Sequence, residues 1–296
     1  MILAIDQGTT GTTCLVVDRT GRVRGRGACA LSQSFPAPGL VEHDPEEILR
    51  TVRVAAADAI AQAGAAPVAV GITNQRETIV LWERDGGRPV HPAIVWQDRR
   101  TVDRCAALAP EADRIGRRTG LVVDPYFSAT KLEWLLARGD LRARAERGEL
   151  AAGTIDSWLV WHLTGGRVHA TDPTNAARTM LYDIEARAWS DELCALFGVP
   201  RALLPDVRPS LGDFGETDPH LLGRRLPILG VAGDQQAALF GQGGWAAGAA
   251  KNTYGTGAFL LLNCGAHRPT GGPGLLTTLA CGPAGEPVYA LEAAIL

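Results

Sequence analysis

The sequence predicts an α/β protein built from more than one domain, and three observations carry that expectation. Short β-rich apolar runs alternate with one long amphipathic helical pattern and several shorter ones. The 296 residues exceed what one hydrophobic core usually serves. A polar Gly/Thr turn leading into an apolar run also occurs twice, as GTTGTTCLVV from Gly8 and as YGTGAFLLL from Tyr254. An internal near-repeat of that kind points to a duplicated domain.

In chain order, Ile2–Ile5, Thr12–Val17 and Val23–Cys29 read as three strands joined by tight turns at Gly8–Gly11 and Arg19–Gly21. This is an antiparallel meander rather than a strand-helix-strand unit. A helix follows from Pro45 to Ala61, with Ile48, Leu49, Val52, Ala55, Ala56 and Ile60 on one face. Asp44 is its N-cap and Pro45 its first helical residue. Val68–Ile72 and Thr78–Glu83 are strands, the second closed by an Asp85-Gly86-Gly87 turn. Ile94–Trp96 runs into the charged stretch Gln97–Arg100. Helical patterns cover Ser128–Arg138 and Thr154–Leu163, and Pro200–Pro209 reads as loop. The buried strand Ile228–Val231 ends in Gly233-Asp234-Gln235-Gln236 before a helix over Ala237–Gln242. The domain boundary is expected between 244 and 245, with the first domain complete and the second only begun.

Composition narrows the function. A net charge of −3 offers no broad field for nucleic acid. No apolar run is long enough to span a bilayer, and the N-terminus lacks a secretory signal pattern. The six cysteines are scattered without a Cys-x-x-Cys pair, as expected of free thiols in a reducing cytoplasm. Only Lys131 and Lys251 are lysines, which reads as a high-GC coding bias towards arginine.

The two Gly/Thr turns suggest phosphate binding. Glycine lets backbone N–H groups approach an anion, and threonine hydroxyls add donors. Neither turn has the G-x-x-x-x-G-K-[ST] form of a P-loop. Gly8, Thr9, Thr10 and Thr12 in the first, with Gly255, Thr256 and Gly257 in the second, would grip one chain of phosphates from both sides. Asp6, at the end of the first strand, would repel those phosphates unless a Mg²⁺ ion stood between, bound through water. An ordinary hairpin with a turn-forming Asp is the alternative for either turn alone.

The stretches AIDQGTTGTT, GITNQRETIVLW, AIVWQDRR, PYFSATKLEWLL, AGTIDSWLVWHLTGG, TDPTNAARTMLYD, GVAGDQQAALFGQ and KNTYGTGAFLLLN resemble the FGGY carbohydrate kinases, and within them the glycerol kinases. They follow the family order along nearly the whole chain. The resemblance implies an actin/hexokinase-like fold of two RNase H-like domains, with ATP and a polyol in the cleft between them. It implies Mg²⁺- and ATP-dependent phosphorylation of glycerol to glycerol 3-phosphate. Homodimers or homotetramers are common in the family. It also places the glycerol contacts on Arg76, Glu77, Trp96, Tyr126, Asp234, Gln235 and Phe259, and the proton-accepting carboxylate on Asp234.

The residue chemistry is compatible with that assignment. Arg76 and Glu77 set a donor fork beside an acceptor, although a solvated ion pair would read the same way. Tyr126 offers a phenol, while Trp96 and Phe259 offer apolar surface for the carbon edge; all three also suit a core. Asp234 at a strand end suits either a base or a helix N-cap. The chain differs from many relatives in having Thr13 where they carry Arg. It also stops at Leu296, where relatives continue, so it reads as truncated, with the adenosine-binding segments missing. A catalytically silent polyol-binding remnant and a kinase for another polyol or sugar are the competing readings.

Overall fold

The structure, a computed structural model, describes residues 1–254, 258–272 and 274–295. Strands β1 (Ile2–Gln7), β2 (Gly11–Val17) and β3 (Val23–Ala30) form the expected meander. In β1, Leu3 and Ile5 are buried with Cys14 and Val16 of β2, while Ala4, Asp6 and Thr13 lie on the other face. That period of two fixes which residues of the hairpin reach the core and which reach the open side.

Two further strands, Ala69–Asn74 and Ile228–Gly233, add parallel to the edge of β1. The five-stranded sheet therefore runs Ile228–Gly233, Ala69–Asn74, β1, β2, β3. Three antiparallel strands continued by two parallel ones is the arrangement expected of the first RNase H-like domain. It brings Gln7, Asn74 and Gly233, the last residues of three parallel strands, to one edge. Ligands of open α/β sheets sit at such carboxyl ends.

Helix α1 (Pro45–Ala63) covers the buried face of the meander. Asp44 caps it by accepting from the Glu46 N–H at 2.9 Å, and Gly64 ends it in the left-handed region at φ 64°. Ile48, Val52, Ala55, Ala56 and Ala59 face the sheet. The approach of α1 to β3 is very close. A Cβ at Gly25 would stand 2.0 Å from the Ala59 carbonyl oxygen, and one at Gly27 2.0 Å from that of Ala55. Glycine is required there for space, not for its backbone freedom.

A second sheet pairs Ile79–Glu83 with Leu150–Thr154, and carries the short strands Ala93–Ile94 and Glu42–His43. Helices Ser128–Leu136 and Ile155–Leu163 pack beside it. A third, four-stranded sheet holds Ala250–Tyr254, Ala258–Gly265, Pro287–Ile295 and Leu276–Cys281 in that order. Its first two strands form the second hairpin. The turn residues Gly255, Thr256 and Gly257 lie outside the described residues.

Several expectations shift. The 200–209 segment is not all loop: Arg201–Leu203 is a 3-10 turn, and Asp206–Val207 pairs parallel with Ala170–Thr171. The helix expected over Ala237–Gln242 spans Asp234–Gly241 instead. Asp234 is thus its first residue and Gly233 its N-cap, so the N-cap reading of Asp234 is corrected. The six cysteines are free thiols; Cys14, Cys105, Cys194 and Cys281 are buried as expected of free thiols, while Cys29 and Cys264 are half-buried.

Candidate active site

Arg76, Glu77 and Trp96 follow strand ends, and Tyr126 and Asp234 stand just before or at helix starts. Arg76 and Glu77 follow the Ala69–Asn74 strand. Both are buried, at 3% and 1% exposure. Glu77 holds a left-handed backbone, φ 63°, at a non-glycine position, a conformation that costs on the order of 1 kcal/mol and recurs at functional sites. The Ser128 hydroxyl donates to the Glu77 carbonyl oxygen at 2.8 Å and braces the bend.

Arg76 is the hub. Its Nη1 and Nη2 donate to Oε2 and Oε1 of Glu292 at 2.6 and 3.1 Å. Its Nε lies 3.2 Å from Asp234 Oδ1. Gln236 Oε1 and the Tyr126 hydroxyl approach its two terminal nitrogens at 3.4 and 3.5 Å. The guanidinium fork is thus braced by Glu292, and two of the five N–H groups of Arg76 remain beyond those that meet Glu292 and Asp234. Gly233 makes this packing possible, since a Cβ there would stand 2.8 Å from Arg76 Cγ and Cδ.

A second arginine completes the lattice. Arg178, fully buried, donates from Nε to Glu77 Oε1 at 2.6 Å and from Nη2 to Glu292 Oε1 at 2.9 Å. Its guanidinium lies over the rings of Tyr126 and Phe127, 5.6 and 5.2 Å from their centroids. Two arginines and two glutamates thus alternate in a water-poor pocket, where unpaired charge would be prohibitive. Burial alone would raise the Glu292 carboxyl, but Arg178 and Arg76 outweigh it and hold it below the usual range. Glu77 ends above its usual value because burial outweighs the pull of Arg76 and Arg178. Burial likewise pushes the Tyr126 phenol up.

Asp234 is the open member of the set, its side chain 39% exposed. Oδ1 accepts from the Gln235 backbone N–H at 2.7 Å, and Oδ2 from the Gln235 side-chain amide at 3.2 Å. Trp96 and Tyr126 meet edge to face with centroids 5.7 Å apart, forming an aromatic corner. The indole Nε1 of Trp96 donates to Thr9 Oγ1 at 2.9 Å, tying that corner to the first Gly/Thr turn. Contacts therefore run unbroken from Thr9 through Trp96, Tyr126 and Arg76 to Asp234 and Gln235. Phe259 enters through its backbone, where its carbonyl oxygen lies 3.4 Å from Lys251 Nζ; its side chain is half-buried.

The first turn is tight. Gly8 N–H donates to the Gly11 carbonyl at 2.9 Å, and Gln75 reaches over to the Gly8 carbonyl at 3.1 Å. Thr10 is exposed and Thr9 half-buried. Thr12 does not join them: its side chain is on the core face, 1% exposed, with its hydroxyl 2.8 Å from that of Thr51. The expectation that Thr12 contacts phosphate is corrected by that strand register. Asp6 is exposed on the open face opposite Thr13. Solvent reaches its side chain, yet the chain packed around it desolvates the carboxyl and, with the Asp234 carboxylate as the smaller cause, raises its pKa to about 6. Among the described residues no cluster of three or more His, Cys, Asp or Glu side chains could hold a metal unaided. A carboxylate with water and phosphate as the remaining ligands is the donor set that suits Mg²⁺.

Sequence reasoning missed Arg178, Glu292, Lys251 and Gln236. The first two carried a signal: each is a lone charge inside an apolar run, AARTML and LEAAIL respectively, and such charges fold inward only when paired.

Comparison with known proteins identifies the family and the fold. Residues 1–241 match the family model for the N-terminal domain of the FGGY family of carbohydrate kinases. A glycerol kinase of Thermus brockianus is 57% identical over 300 residues, covering 99% of this chain and 61% of that protein. One from Delftia acidovorans is 54% identical over 300 residues, covering 99% and 60%. Among solved structures, Plasmodium falciparum glycerol kinase with ADP superposes with a TM-score of 0.94 at 34% identity, covering 99% of this chain and 60% of that one. A xylulose kinase from Brucella ovis gives a TM-score of 0.88 at 27% identity, covering 99% and 60%. The chain spans about three-fifths of the length of the relatives it matches. By sequence match and by fold alike, the chain belongs to the FGGY family of carbohydrate kinases.

Proposed function

We propose that this chain carries the polyol site and the proton-accepting carboxylate of an ATP-dependent glycerol kinase. One observation carries the reading: among the described residues the only acid of the Arg76 lattice open to solvent is Asp234, and it stands at a helix start held by Arg76 and Gln235. An alcohol oxygen needs such a neighbour when it attacks phosphorus. The hydroxyl proton passes to Asp234, the oxygen bonds to the terminal phosphorus of ATP, and ADP leaves with the electrons of the broken P–O bond. Positioning and charge neutralisation supply most of the acceleration.

Arg76, Glu77, Tyr126, Asp234 and Gln235 supply the polar contacts to glycerol, and Trp96 and Phe259 the surface for its carbon edge. Gly8, Thr9 and Thr10, with Gly255, Thr256 and Gly257, hold the phosphates. Asp6 would hold Mg²⁺ through water, and the ion would supply neutralisation of the phosphate charge. Six heavy atoms limit glycerol binding to about −9 kcal/mol, so selectivity rests on buried polar groups left unpaired by a wrong substrate.

The boundary at 244/245 separates the polyol-binding domain from the start of the nucleotide-binding one. A cytoplasmic location fits the free cysteines, and no described helix is long and apolar enough to cross a membrane. The test is a substrate panel of glycerol, xylulose and gluconate by calorimetry, with a coupled assay of ADP release. The reading expects glycerol to be preferred. Binding without turnover favours the silent remnant, and preference for xylulose favours a pentulose kinase, the reading the Brucella ovis neighbour supports.

A further inference from the structure

Of the 29 basic residues only Lys131 and Lys251 are lysine. Both are buried, at 0% and 3% exposure; Lys131 donates to the Val95 and Tyr126 backbone carbonyls, behind the aromatic corner, and Lys251 meets Gln235 at the site itself. A chain that uses arginine at every other basic position has kept an ammonium at these two. Arginine presents a wide planar fork, whereas lysine places three donors on one nitrogen.

Lys251 uses all three. Its Nζ donates to Gln235 Oε1, to the Thr253 hydroxyl at 2.7 Å and towards the Phe259 carbonyl at 3.4 Å. The last two acceptors belong to the two strands of the second Gly/Thr hairpin, paired at Thr253 and Phe259. The first belongs to the helix that begins at Asp234. One nitrogen therefore joins the hairpin to the residue beside the proposed base. With its oxygen engaged by Lys251, the Gln235 amide must turn its NH₂ group outward, and that group donates to Asp234 Oδ2 at 3.2 Å.

We propose that Lys251 is a positioning residue that pins the second hairpin to Gln235 and fixes the amide orientation through which Gln235 meets both Asp234 and the polyol. Resting on the polyol-site reading above, this assigns Gln235 as a donor to a substrate hydroxyl oxygen, never an acceptor. The charged groups facing Lys251 are Arg76, which opposes its proton, and Asp234 and Glu292, which favour it. Burial is the largest influence, and the lysine settles at about 8.

Having only two lysines makes the test clean. Selective ¹³C labelling at lysine Cε gives two side-chain signals, assigned by Lys251→Arg. In the unmodified chain the Lys251 signal should titrate near 8, well below an exposed lysine at about 10.4. Asp234→Asn should lower that midpoint further, because a favourable charge is gone. Glycerol should shift the signal, and Lys251→Met and Lys251→Arg should each weaken glycerol binding at least ten-fold at pH 7, since a fork cannot meet three converging acceptors. An ordinary midpoint unmoved by Asp234→Asn overturns the proposal. So does unchanged glycerol affinity in Lys251→Arg. If the unmodified chain binds no glycerol, the polyol reading falls, and the lysine titration still decides the pin.

Discussion

Arg76 and Glu292 stand 216 positions apart in the chain, and their side chains meet through two hydrogen bonds of 2.6 and 3.1 Å in a pocket closed to water. Glu292 serves Arg178 as well, so one carboxylate neutralises two buried guanidinium groups. Glu292→Ala should cost about 3–5 kcal/mol, the usual result of stranding buried charge. Glu292→Gln should cost less, because it keeps an acceptor. Urea denaturation of the two variants checks both the loss and its order.

Asp234 differs from those partners in facing solvent. Asp234→Asn should leave glycerol affinity within a few fold, since the amide keeps the shape and one acceptor oxygen. Phosphoryl transfer should fall by about 10²–10⁴, the ordinary worth of a positioned base. Parallel calorimetry and ADP-release assays on the variant separate the two quantities. Equal rates in variant and parent would remove Asp234 from the chemistry.

His43 gives a pH signature. Burial lowers it to about 4, so the native state binds a proton less readily than the unfolded one. The stability it supports is intact above the unfolded value of about 6.5 and is lost as pH falls through 4. Between pH 7 and 5 this removes about 2 kcal/mol. His43→Gln should lessen the loss between those pH values by about 2 kcal/mol, measured by urea unfolding at both, while His162 and His169, which burial also lowers to about 4, keep the rest of the slope. Asp6, raised to about 6, acts with the opposite sign and is present in both proteins.

Gly27 tests the packing of α1 on β3. A methyl group there has nowhere to go, with the Ala55 carbonyl oxygen 2.0 Å from the new Cβ. Gly27→Ala should destabilise by about 3 kcal/mol or more, because backbone on both sides must move. Gly21→Ala, in open space but at φ 80°, should cost only about 1 kcal/mol. Thermal melts of the pair rank the two effects.

Much of the fold was legible because local signals and tertiary packing agree. The meander, the Asp44-capped helix and the strands into Arg76 and Asp234 each show a strong period with turn chemistry at the ends. Helix starts were less legible: Asp234 looks like a cap, yet the helix takes it in, because Gly233 must pack against Arg76. The polar site was legible as a set of residue types but not as a set of partners. Nothing in local sequence says that Arg76 spends its fork on Glu292, or that Arg178 braces Glu77. Those pairings come from chain segments more than 100 residues apart. Thr12 shows the converse. Its composition suits a phosphate turn, but a one-residue step in register sends its hydroxyl to Thr51.

The central claim is that the pocket around Glu77, Tyr126 and Asp234 is a glycerol site, and calorimetric titration of the 296-residue chain with glycerol tests it most directly. The account predicts saturable heat, affinity no tighter than about micromolar, and loss of that heat in Glu77→Gln. Absence of heat with glycerol, or equal heat in Glu77→Gln, would contradict it.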